Sequence, residues 1–259
     1  MRQEKHKIPK LNTRHRFEEN WRKNFEKFAV CSDDDAGIAG WSSTGLETRL
    51  RYFIHFWDKN HHDPGLWLDL GCGAGTYSRF IAERGMRVIG LDYSFPTLQK
   101  AKVRGNSSIN WCAADASRLP IKPESFNGAI CFGVTQALEN SSAVTNELVN
   151  VVMPGGQIWI DALNGACIPH LWERCYRRLS DRPMHLRYES WRRIKAIMKA
   201  NGLVNIQLYW LPILPSRWVR FQWLLETSLA RWIFYYLPGI GLLFSHSFIV
   251  YGERPLQKR

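Results

Sequence analysis

The feature that most constrains the fold of this 259-residue chain is a glycine-rich stretch, Trp67–Thr76 (WLDLGCGAGT), between a short apolar run and a helical stretch. Glycine at positions 71, 73 and 75 lets the backbone turn sharply, so that a ligand can lie against bare peptide at the N–H end of the following helix. Asp92 ends the next apolar run, 23 residues after Asp69, where a carboxylate can accept both hydroxyls of an adenosine ribose. The arrangement predicts a site for a nucleoside-containing cofactor.

Around this loop, short apolar runs alternate with helical stretches, which is typical of crossover units and a parallel sheet. The predicted strands are Leu66–Leu70, Arg87–Leu91, Ile109–Ala113, Gly128–Phe132, Gln157–Leu163, Leu203–Leu214 and His246–Gly252. The predicted helices in this part are Thr76–Arg84, Pro96–Arg104, Asn140–Val152 and Ser190–Ala200, and a turn is predicted at Pro154–Gly156. The expected fold class is therefore α/β with a doubly wound sheet.

Residues 1–60 are predicted to form a basic arm and an N-terminal helical cap. Two amphipathic helices, Arg14–Phe28 and Leu46–Trp57, are expected there, with a loop from Cys31 to Gly45 between them. Residues 61–259 are predicted to form the main domain. Its cofactor half is residues 66–163, and its substrate-side and insert regions are residues 164–202 and 215–245.

The glycine loop differs from the dinucleotide fingerprint G-x-G-x-x-G because its third glycine comes one residue earlier. With Asp69 it resembles the D/E-x-G-x-G-x-G motif of class I S-adenosylmethionine-dependent methyltransferases, in the methyltransferase-11-like branch of small-molecule enzymes. Asp115 after the third strand, Leu119–Asn127 before the fourth and Met153–Gly156 before the fifth follow the same family in order and spacing. The resemblance implies a Rossmann-like, mostly parallel sheet with an antiparallel last strand, and S-adenosylmethionine as cofactor.

The resemblance also implies roles for individual residues. The glycine loop would line the methionine part, Asp92 would hold the ribose, and Phe132 and Gly133 would flank the transferable methyl group. The expected cofactor-binding residues are Asp69, Gly71, Cys72, Gly73, Gly75, Asp92, Tyr93, Asp115, Ala116, Phe132, Gly133 and Trp41. Trp41 would cover the sulfonium, because cations favour aromatic faces, with ordinary core packing as its alternative.

The catalytic residue expected from topology is Asp161, which ends the fifth strand and would face the acceptor. A histidine is the usual general base for an oxygen nucleophile, and the second half of the chain offers His170, His185 and His246. Surface or core packing is the simpler role for each of these histidines. No spacing of potential ligands predicts a metal.

The sequence leaves the acceptor open. The first hypothesis is methylation of an oxygen of a small molecule, namely a saccharide or a lipid-linked saccharide. The alternative is C- or O-methylation of a prenylated quinone or another lipophilic metabolite, although Gln136 and Ala137 stand where such enzymes often carry histidine. A catalytically silent S-adenosylmethionine-binding module is the non-enzymatic alternative, against which the intact glycine loop, Asp92 and Asp115 argue.

The formal net charge of +12 fits a solvated surface, an anionic membrane face or an anionic substrate. No zinc-finger, RNP-type or helix-turn-helix signature supports nucleic acid as a partner. The six cysteines form no regular spacing, so a disulfide framework is not expected. The absence of a secretory signal favours a cytoplasmic protein, peripheral on the inner face of a membrane if it binds lipid. The oligomeric state stays open.

The segment Pro215–Leu243 is rich in tryptophan and arginine. Trp232–Gly252 lacks charged residues over 21 positions, but Pro238 interrupts it and its end is needed as the closing strand, so a membrane span is not predicted. Arg217–Leu237 instead fits a helix lying in a membrane interface. A hydrophobic cap over the acceptor pocket and plain core packing are the alternatives.

Overall fold

The computed structural model describes residues 11–184 and 186–256, with no side chains described for residues 11–16, so the predicted basic arm lies almost entirely outside the described residues. Its strands are β1 (Leu66–Leu70), β2 (Arg87–Asp92), β3 (Ile109–Ala113), β4 (Phe126–Cys131), β5 (Val152–Leu163), β6 (Val204–Leu211) and β7 (Ser247–Glu253). They form one sheet in the order β3-β2-β1-β4-β5-β7-β6. Strands β1 to β5 are parallel, and β7 is antiparallel to both β5 and β6. The predicted mostly parallel sheet with an antiparallel last strand is confirmed.

Helices cover both faces of this sheet. The helices before β6 are α1 (Leu11–Cys31), α2 (Asp35–Ile38), α3 (Ser43–Trp57), α4 (Thr76–Glu83), α5 (Phe95–Arg104), α6 (Ser141–Val151), α7 (Ile168–Leu179) and α8 (Trp191–Ala200). Between β6 and β7 lie a 3-10 helix (Ser216–Phe221), α9 (Gln222–Leu225), α10 (Ser228–Tyr236) and α11 (Pro238–Phe244). An aromatic core that includes Phe53 and Trp159 joins α3 and α4 to one face, and an aliphatic core that includes Leu148 and Met198 joins α6 and α8 to the other.

Capping side chains set several helix boundaries. The Ser42 hydroxyl accepts the N–H of Gly45 at 3.1 Å, so α3 begins at Ser43, before the predicted Leu46. The Asp34 carboxylate accepts the N–H of Gly37 at 2.8 Å and starts α2 inside the predicted loop. The prediction of an uninterrupted loop from Cys31 to Gly45 is therefore wrong, because a side chain that accepts the N–H three residues later is enough to start a short helix.

The predicted turn at Pro154–Gly156 is also wrong, because β5 runs through it from Val152. The pairing with β4 shifts register between Phe126 and Gly128, and Gly155 adopts a φ of +84°. A bulge of this kind lets a strand absorb extra residues without ending. The P-G-G sequence therefore marks an irregularity in the strand and not a break between α6 and the strand.

The sheet topology collects the long connections at one edge. Strands β1, β2, β4 and β5 end there, and the α7 region follows β5. Because β6 is parallel to β5 and β7 is antiparallel to it, residues 212–246 also leave from and return to this edge. The insert is a set of short helices and not the single interfacial helix predicted over Arg217–Leu237. Among the described residues, no helix is long and apolar enough to cross a membrane.

Candidate cofactor and acceptor cleft

A cleft at the carboxyl ends of β1, β2 and β4 spans about 1040 Å³, including the space where it opens to solvent. The sheet contributes its floor, while α1 and the residues that join α2 to α3 contribute its cover. Ten of the predicted cofactor-binding residues line it: Gly71, Cys72, Gly73, Asp92, Tyr93, Asp115, Ala116, Phe132, Gly133 and Trp41. Asp69 and Gly75 lie outside the lining.

The glycine loop needs glycine for different reasons at its three positions. Gly71, Gly73 and Gly75 have φ values of +75°, +53° and +82°, which L side chains rarely adopt. A Cβ on Gly71 would lie 2.1 Å from Val134, and a Cβ on Gly75 would lie 2.3 Å from the Trp111 ring. A Cβ on Gly73 would meet nothing within 4 Å. Gly71 and Gly75 therefore allow close packing, and Gly73 keeps open a space inside the cleft.

The two acids near the loop have separate roles. The Asp92 carboxylate accepts the N–H of Gly73 at 3.0 Å and the N–H of Ser94 at 2.9 Å, so it fixes the loop while facing the cleft. Asp69 lies beneath the loop, where its carboxylate accepts the Ser78 hydroxyl at 2.6 Å. Burial raises the pKa of Asp69 to about 7. The structure therefore corrects the expected role of Asp69, which supports the loop from behind because its side chain is turned into the core.

The end of the cleft at Asp115, where the adenine is expected, is covered by α1. The Arg22 guanidinium donates to the Asp115 carboxylate and lies 4.3 Å from the centre of the Tyr93 ring. Partial burial acts to raise the pKa of Asp115, but hydrogen bonds from Ser117 and the charge of Arg22 lower it below its usual value. Glu18, one turn before Arg22, accepts the N–H of Glu139 at 3.0 Å. These contacts hold α1 across the cleft.

A buried ion pair lies behind the lining at the opposite end of the cleft. Arg49 of α3 donates to the Asp161 carboxylate at 3.0 Å and to the Ser247 hydroxyl at 2.9 Å, and its guanidinium lies 4.5 Å from the centre of the Trp41 ring. The other Asp161 oxygen accepts the N–H of Gly133 at 2.7 Å. Burial raises the pKa of Asp161, although Arg49 acts in the opposite direction.

This geometry corrects the expected role of Asp161 as the catalytic residue facing the acceptor. Its side chain is 7% exposed, both of its oxygens are bonded, and it lies behind the residues that line the cleft. The topology correctly predicted that Asp161 lies at the carboxyl edge of the sheet, but not that its side chain points away from the cleft. Asp161 instead fixes the backbone of Gly133, beside which the methyl group is expected.

Two of the three histidines considered as general bases, His170 and His246, also lie outside the lining. His170 Nε2 and His246 Nδ1 are 2.9 Å apart, and His170 Nδ1 lies 2.8 Å from the Asn164 carbonyl oxygen. Burial lowers the pKa of both histidines. His185 lies outside the described residues. In the part of the chain that the structure describes, no group of three or more His, Cys, Asp and Glu residues is arranged to hold a metal ion.

Sequence reasoning missed the three charged residues that organise the cleft, Glu18, Arg22 and Arg49. Glu18 and Arg22 share a helix with Trp21 and Phe25, which also line the cleft. The aromatic spacing of α1 predicted an apolar face but not what it covers. Arg49 lies in the middle of an amphipathic helix, and only its burial distinguishes it from a surface arginine.

The lining fits S-adenosylmethionine in chemistry and shape. Open space at Gly73 leaves room for the methionine part, Asp92 offers carboxylate lone pairs to ribose hydroxyls, and Asp115 lies at the next strand end toward the adenine side. Trp41 and Phe132 place aromatic rings near Gly133, where a sulfonium would gain from them.

Comparison with known proteins agrees with this geometry. Residues 68–160 match the family model described as a methyltransferase domain. The demethylmenaquinone methyltransferase of Paenarthrobacter aurescens (strain TC1) is 34% identical over 110 residues, which are 42% of this chain and 42% of that protein. The malonyl-[acyl-carrier protein] O-methyltransferase of Salmonella typhimurium is 36% identical over 104 residues, 40% of this chain and 41% of that protein. The chain thus aligns with less than half the length of these curated relatives.

Among solved structures, magnesium protoporphyrin IX methyltransferase from Synechocystis PCC 6803, with bound SAH, superposes with a TM-score of 0.59. The match covers 94% of this chain and 98% of that chain at 16% sequence identity. At that identity the similarity establishes the fold, which extends well beyond the segment matched by the sequence relatives.

Proposed function

We propose that this chain, whose residues 68–160 form a methyltransferase domain of the class I S-adenosylmethionine-dependent superfamily, transfers a methyl group to a lipophilic small molecule. The observation that carries the proposal is the cleft itself. It joins a floor made by the glycine loop and Asp92, whose chemistry suits a nucleoside, to apolar side chains that include those of α1.

S-adenosylmethionine, when bound, supplies an activated methyl group on a sulfonium. The protein's contribution is proximity and orientation, which can lower a barrier by about 7–11 kcal/mol when reacting atoms are held in line. Asp92 binds the ribose and fixes Gly73, while Asp161 fixes Gly133 through its N–H. Trp41 shields the reacting centre from water.

The lining of the acceptor region favours a lipophilic molecule. Trp21, Phe25, Leu46, Val134 and Leu138 line the cleft and are not assigned to the cofactor. A saccharide would lose its hydrogen bonds to water against such side chains, and that loss is costly unless polar groups replace them. Neither of the curated relatives described above carries a saccharide in its name, whereas one is named for a quinone precursor. We therefore prefer the lipophilic alternative, methylated at oxygen, over the saccharide.

The proton of an oxygen acceptor needs a destination. Glu18 is a carboxylate in the lining that is not assigned to the cofactor, so it is our candidate to accept that proton. Its Oε1 accepts the backbone N–H of Glu139, and the carboxylate has further lone pairs that can accept a proton. A lipid-linked acceptor and an anionic membrane surface stay part of the proposal, as does a cytoplasmic location on the inner face of a membrane.

The proposal is tested by calorimetric titration with S-adenosylmethionine, followed by transfer of labelled methyl from the same compound to a panel of quinols, phenols, lipid-linked sugars and free sugars. We expect binding, and transfer into organic-extractable products. Binding without transfer to any acceptor would favour the catalytically silent module. Transfer to free sugars alone would restore the saccharide hypothesis, and absent binding would remove the enzyme hypothesis altogether.

A further inference from the structure

Helix α7 has its apolar residues on the outside. Ile168, Leu171, Trp172, Tyr176 and Leu179 recur at the spacing of one helix face, which normally packs on a core. Here all five are exposed, Trp172 by 76% and Leu179 by 88%, and His170 is the residue of this helix that is buried. An exposed apolar stripe of this kind marks an interaction surface.

The insert presents a second exposed aromatic group. Trp218, Trp223, Trp232 and Tyr235 all lie mostly in solvent, on the 3-10 helix, α9 and α10. The helices that carry them are firmly attached to the rest of the protein. Tyr52 of α3 donates to the Leu225 carbonyl oxygen at 2.7 Å, and the Gln222 amide donates to the Pro212 carbonyl oxygen at 2.9 Å. The exposed rings are therefore held by a folded scaffold.

The two groups lie at the same edge of the sheet and are tied together. The Asn164 amide, just before α7, donates to the carbonyl oxygens of Leu242 and Ser245 at 2.7 and 2.9 Å. The His170–His246 contact joins α7 itself to the residue before β7. This edge also holds the mouth of the cleft, because the strands that form the cleft floor end there.

The surroundings of α7 are cationic. Residues 165–199 contain nine Lys and Arg against three acids, a net charge of 9 − 3 = +6. Glu173 is paired with Arg177, and Glu189 with Arg187, so both pairs are neutral and the excess positive charge lies on the other Lys and Arg residues of this segment. Arg178 and Arg182 remain exposed beside the stripe. A second copy of the chain would bring these like charges together, whereas an anionic lipid surface would complement them.

We propose that α7 and the insert together form one surface that docks on anionic phospholipid bilayers, with the cleft opening toward the lipid. Exposed tryptophan and tyrosine rings suit the interface between acyl chains and headgroups, and the arginines suit the headgroup charge. The role of this surface rests on the proposed function, because docking would let a lipophilic acceptor pass from the bilayer to the cleft without contact with water.

The test is flotation of the full chain with phosphatidylcholine vesicles, with and without phosphatidylglycerol, over a range of salt concentrations. We expect binding to rise with phosphatidylglycerol and to fall with salt, because salt screens the arginine charges. Arg178→Gln with Arg182→Gln should weaken binding about fivefold for each arginine removed. Trp172→Ser with Tyr176→Ser, and Trp223→Ser with Trp232→Ser, should each reduce binding strongly. Val103→Ser is the matched control, because Val103 is 88% exposed on α5 and should not contribute.

Calorimetric titration with S-adenosylmethionine, done on every variant, separates this surface from the methyltransferase proposal. Unchanged cofactor affinity with lost flotation supports the surface. Wild-type protein that does not float with phosphatidylglycerol vesicles at low salt overturns the docking surface and leaves the methyltransferase proposal standing. Flotation without S-adenosylmethionine binding supports the docking surface and overturns the methyltransferase proposal. A stable dimer in light scattering that Trp172→Ser with Tyr176→Ser dissociates would assign the face to a second copy and overturn the membrane assignment.

Discussion

Residues 66–163 and residues 164–256 share one sheet but differ in how many apolar side chains they expose to solvent. Among the described residues, the first region has three large hydrophobic side chains that are strongly exposed, whereas the second has nineteen. The first region contains β1 to β5, and its loops fold onto the glycine-rich floor of the cleft. The second contributes two strands, and its longest connections carry exposed aromatic rings.

The difference separates two tasks. A water-soluble cofactor requires a precisely shaped site, and the cleft lining of the first region offers backbone N–H groups, carboxylates and close glycine contacts for one. A lipophilic acceptor requires access from an apolar environment, and the second region provides apolar surface where that access would be. Helices α1 and α3 link the two regions: Arg22 of α1 bonds to Asp115 in the cleft lining, and Arg49 of α3 bonds to Asp161 behind it.

The largest expected effect is on cofactor binding by the first region. Asp92→Ala removes two charge-assisted hydrogen bonds to the ribose, each worth about 1.5–3 kcal/mol. Affinity for S-adenosylmethionine should fall by about two to four orders of magnitude. Calorimetric titration measures it, with the exposed Asp63→Ala as the control that should bind like wild type. Equal affinity of the two variants would place the cofactor elsewhere.

Replacing Arg49 tests how much its ion pair with Asp161, which links α3 to the sheet, contributes to stability. Arg49→Met leaves Asp161 buried without its ion-pair partner, which should lower the free energy of unfolding by about 3–5 kcal/mol. Arg51→Met, two residues away, breaks a pair with Glu226 in which the Arg51 side chain is 47% exposed, so water screens it better and the loss should be smaller, about 1 kcal/mol. Urea denaturation of both variants measures the contrast. Similar midpoints would mean that the buried pair does not couple these elements.

Asp69 should make the stability of the first region depend on pH. Burial raises the pKa of its carboxyl from 3.8 to about 7, so the folded state holds a proton that the unfolded state releases between about pH 4 and pH 7. The free energy of unfolding should therefore decrease as pH rises through that window, by about 4 kcal/mol at most. Asp69→Asn should flatten this part of the pH profile, measured by denaturation at several pH values. An unchanged slope would assign the dependence to other groups.

Substitution of Gly73 and of Gly75 should have different effects, because Gly73 borders open space in the cleft and Gly75 packs against a side chain. Gly73→Ala meets no neighbour, so the variant should fold with a conformational cost of about 1–2 kcal/mol, yet its methyl group should reduce cofactor affinity at least about tenfold. Gly75→Ala meets the Trp111 ring and should lose more stability. Circular dichroism melting beside titration resolves the two effects. A folded Gly73→Ala protein with normal affinity would contradict the placement of the methionine part.

The smallest expected effect concerns Trp41. A cation–π contribution of about 0.5–2 kcal/mol predicts that Trp41→Leu weakens S-adenosylmethionine, whose sulfur is charged, by about 2- to 30-fold. Affinity for neutral S-adenosylhomocysteine should change much less. Trp223→Leu, in the exposed insert, is the matched control and should alter neither. Equal losses for both ligands would mean that Trp41 acts by packing alone.

The secondary structure of residues 66–163 was also easier to predict from the sequence than that of residues 164–256. Strands β1, β2 and β3 lie within one residue of their predicted bounds, because each is a short apolar run between strong turn residues. The glycine loop was identified from the residue types that a sharp turn and a bare backbone require. By contrast, Arg217–Leu237 was predicted as one helix from its content of tryptophan and arginine. In the structure Thr227 accepts the N–H of Ala230 and starts α10 as a separate helix, so this segment is divided into short pieces.

The sequence by itself determined the alternation of strands and helices, the cofactor loop and the acid that follows it, because these depend on residues close together in the chain. Only the tertiary structure decided which way Asp161 points, that Arg49 meets it across 112 positions, and that α1 closes over the cleft. It also decided that the apolar stripe of α7 faces outward. Helical spacing specifies that a face exists, whereas what covers the face depends on how distant elements pack.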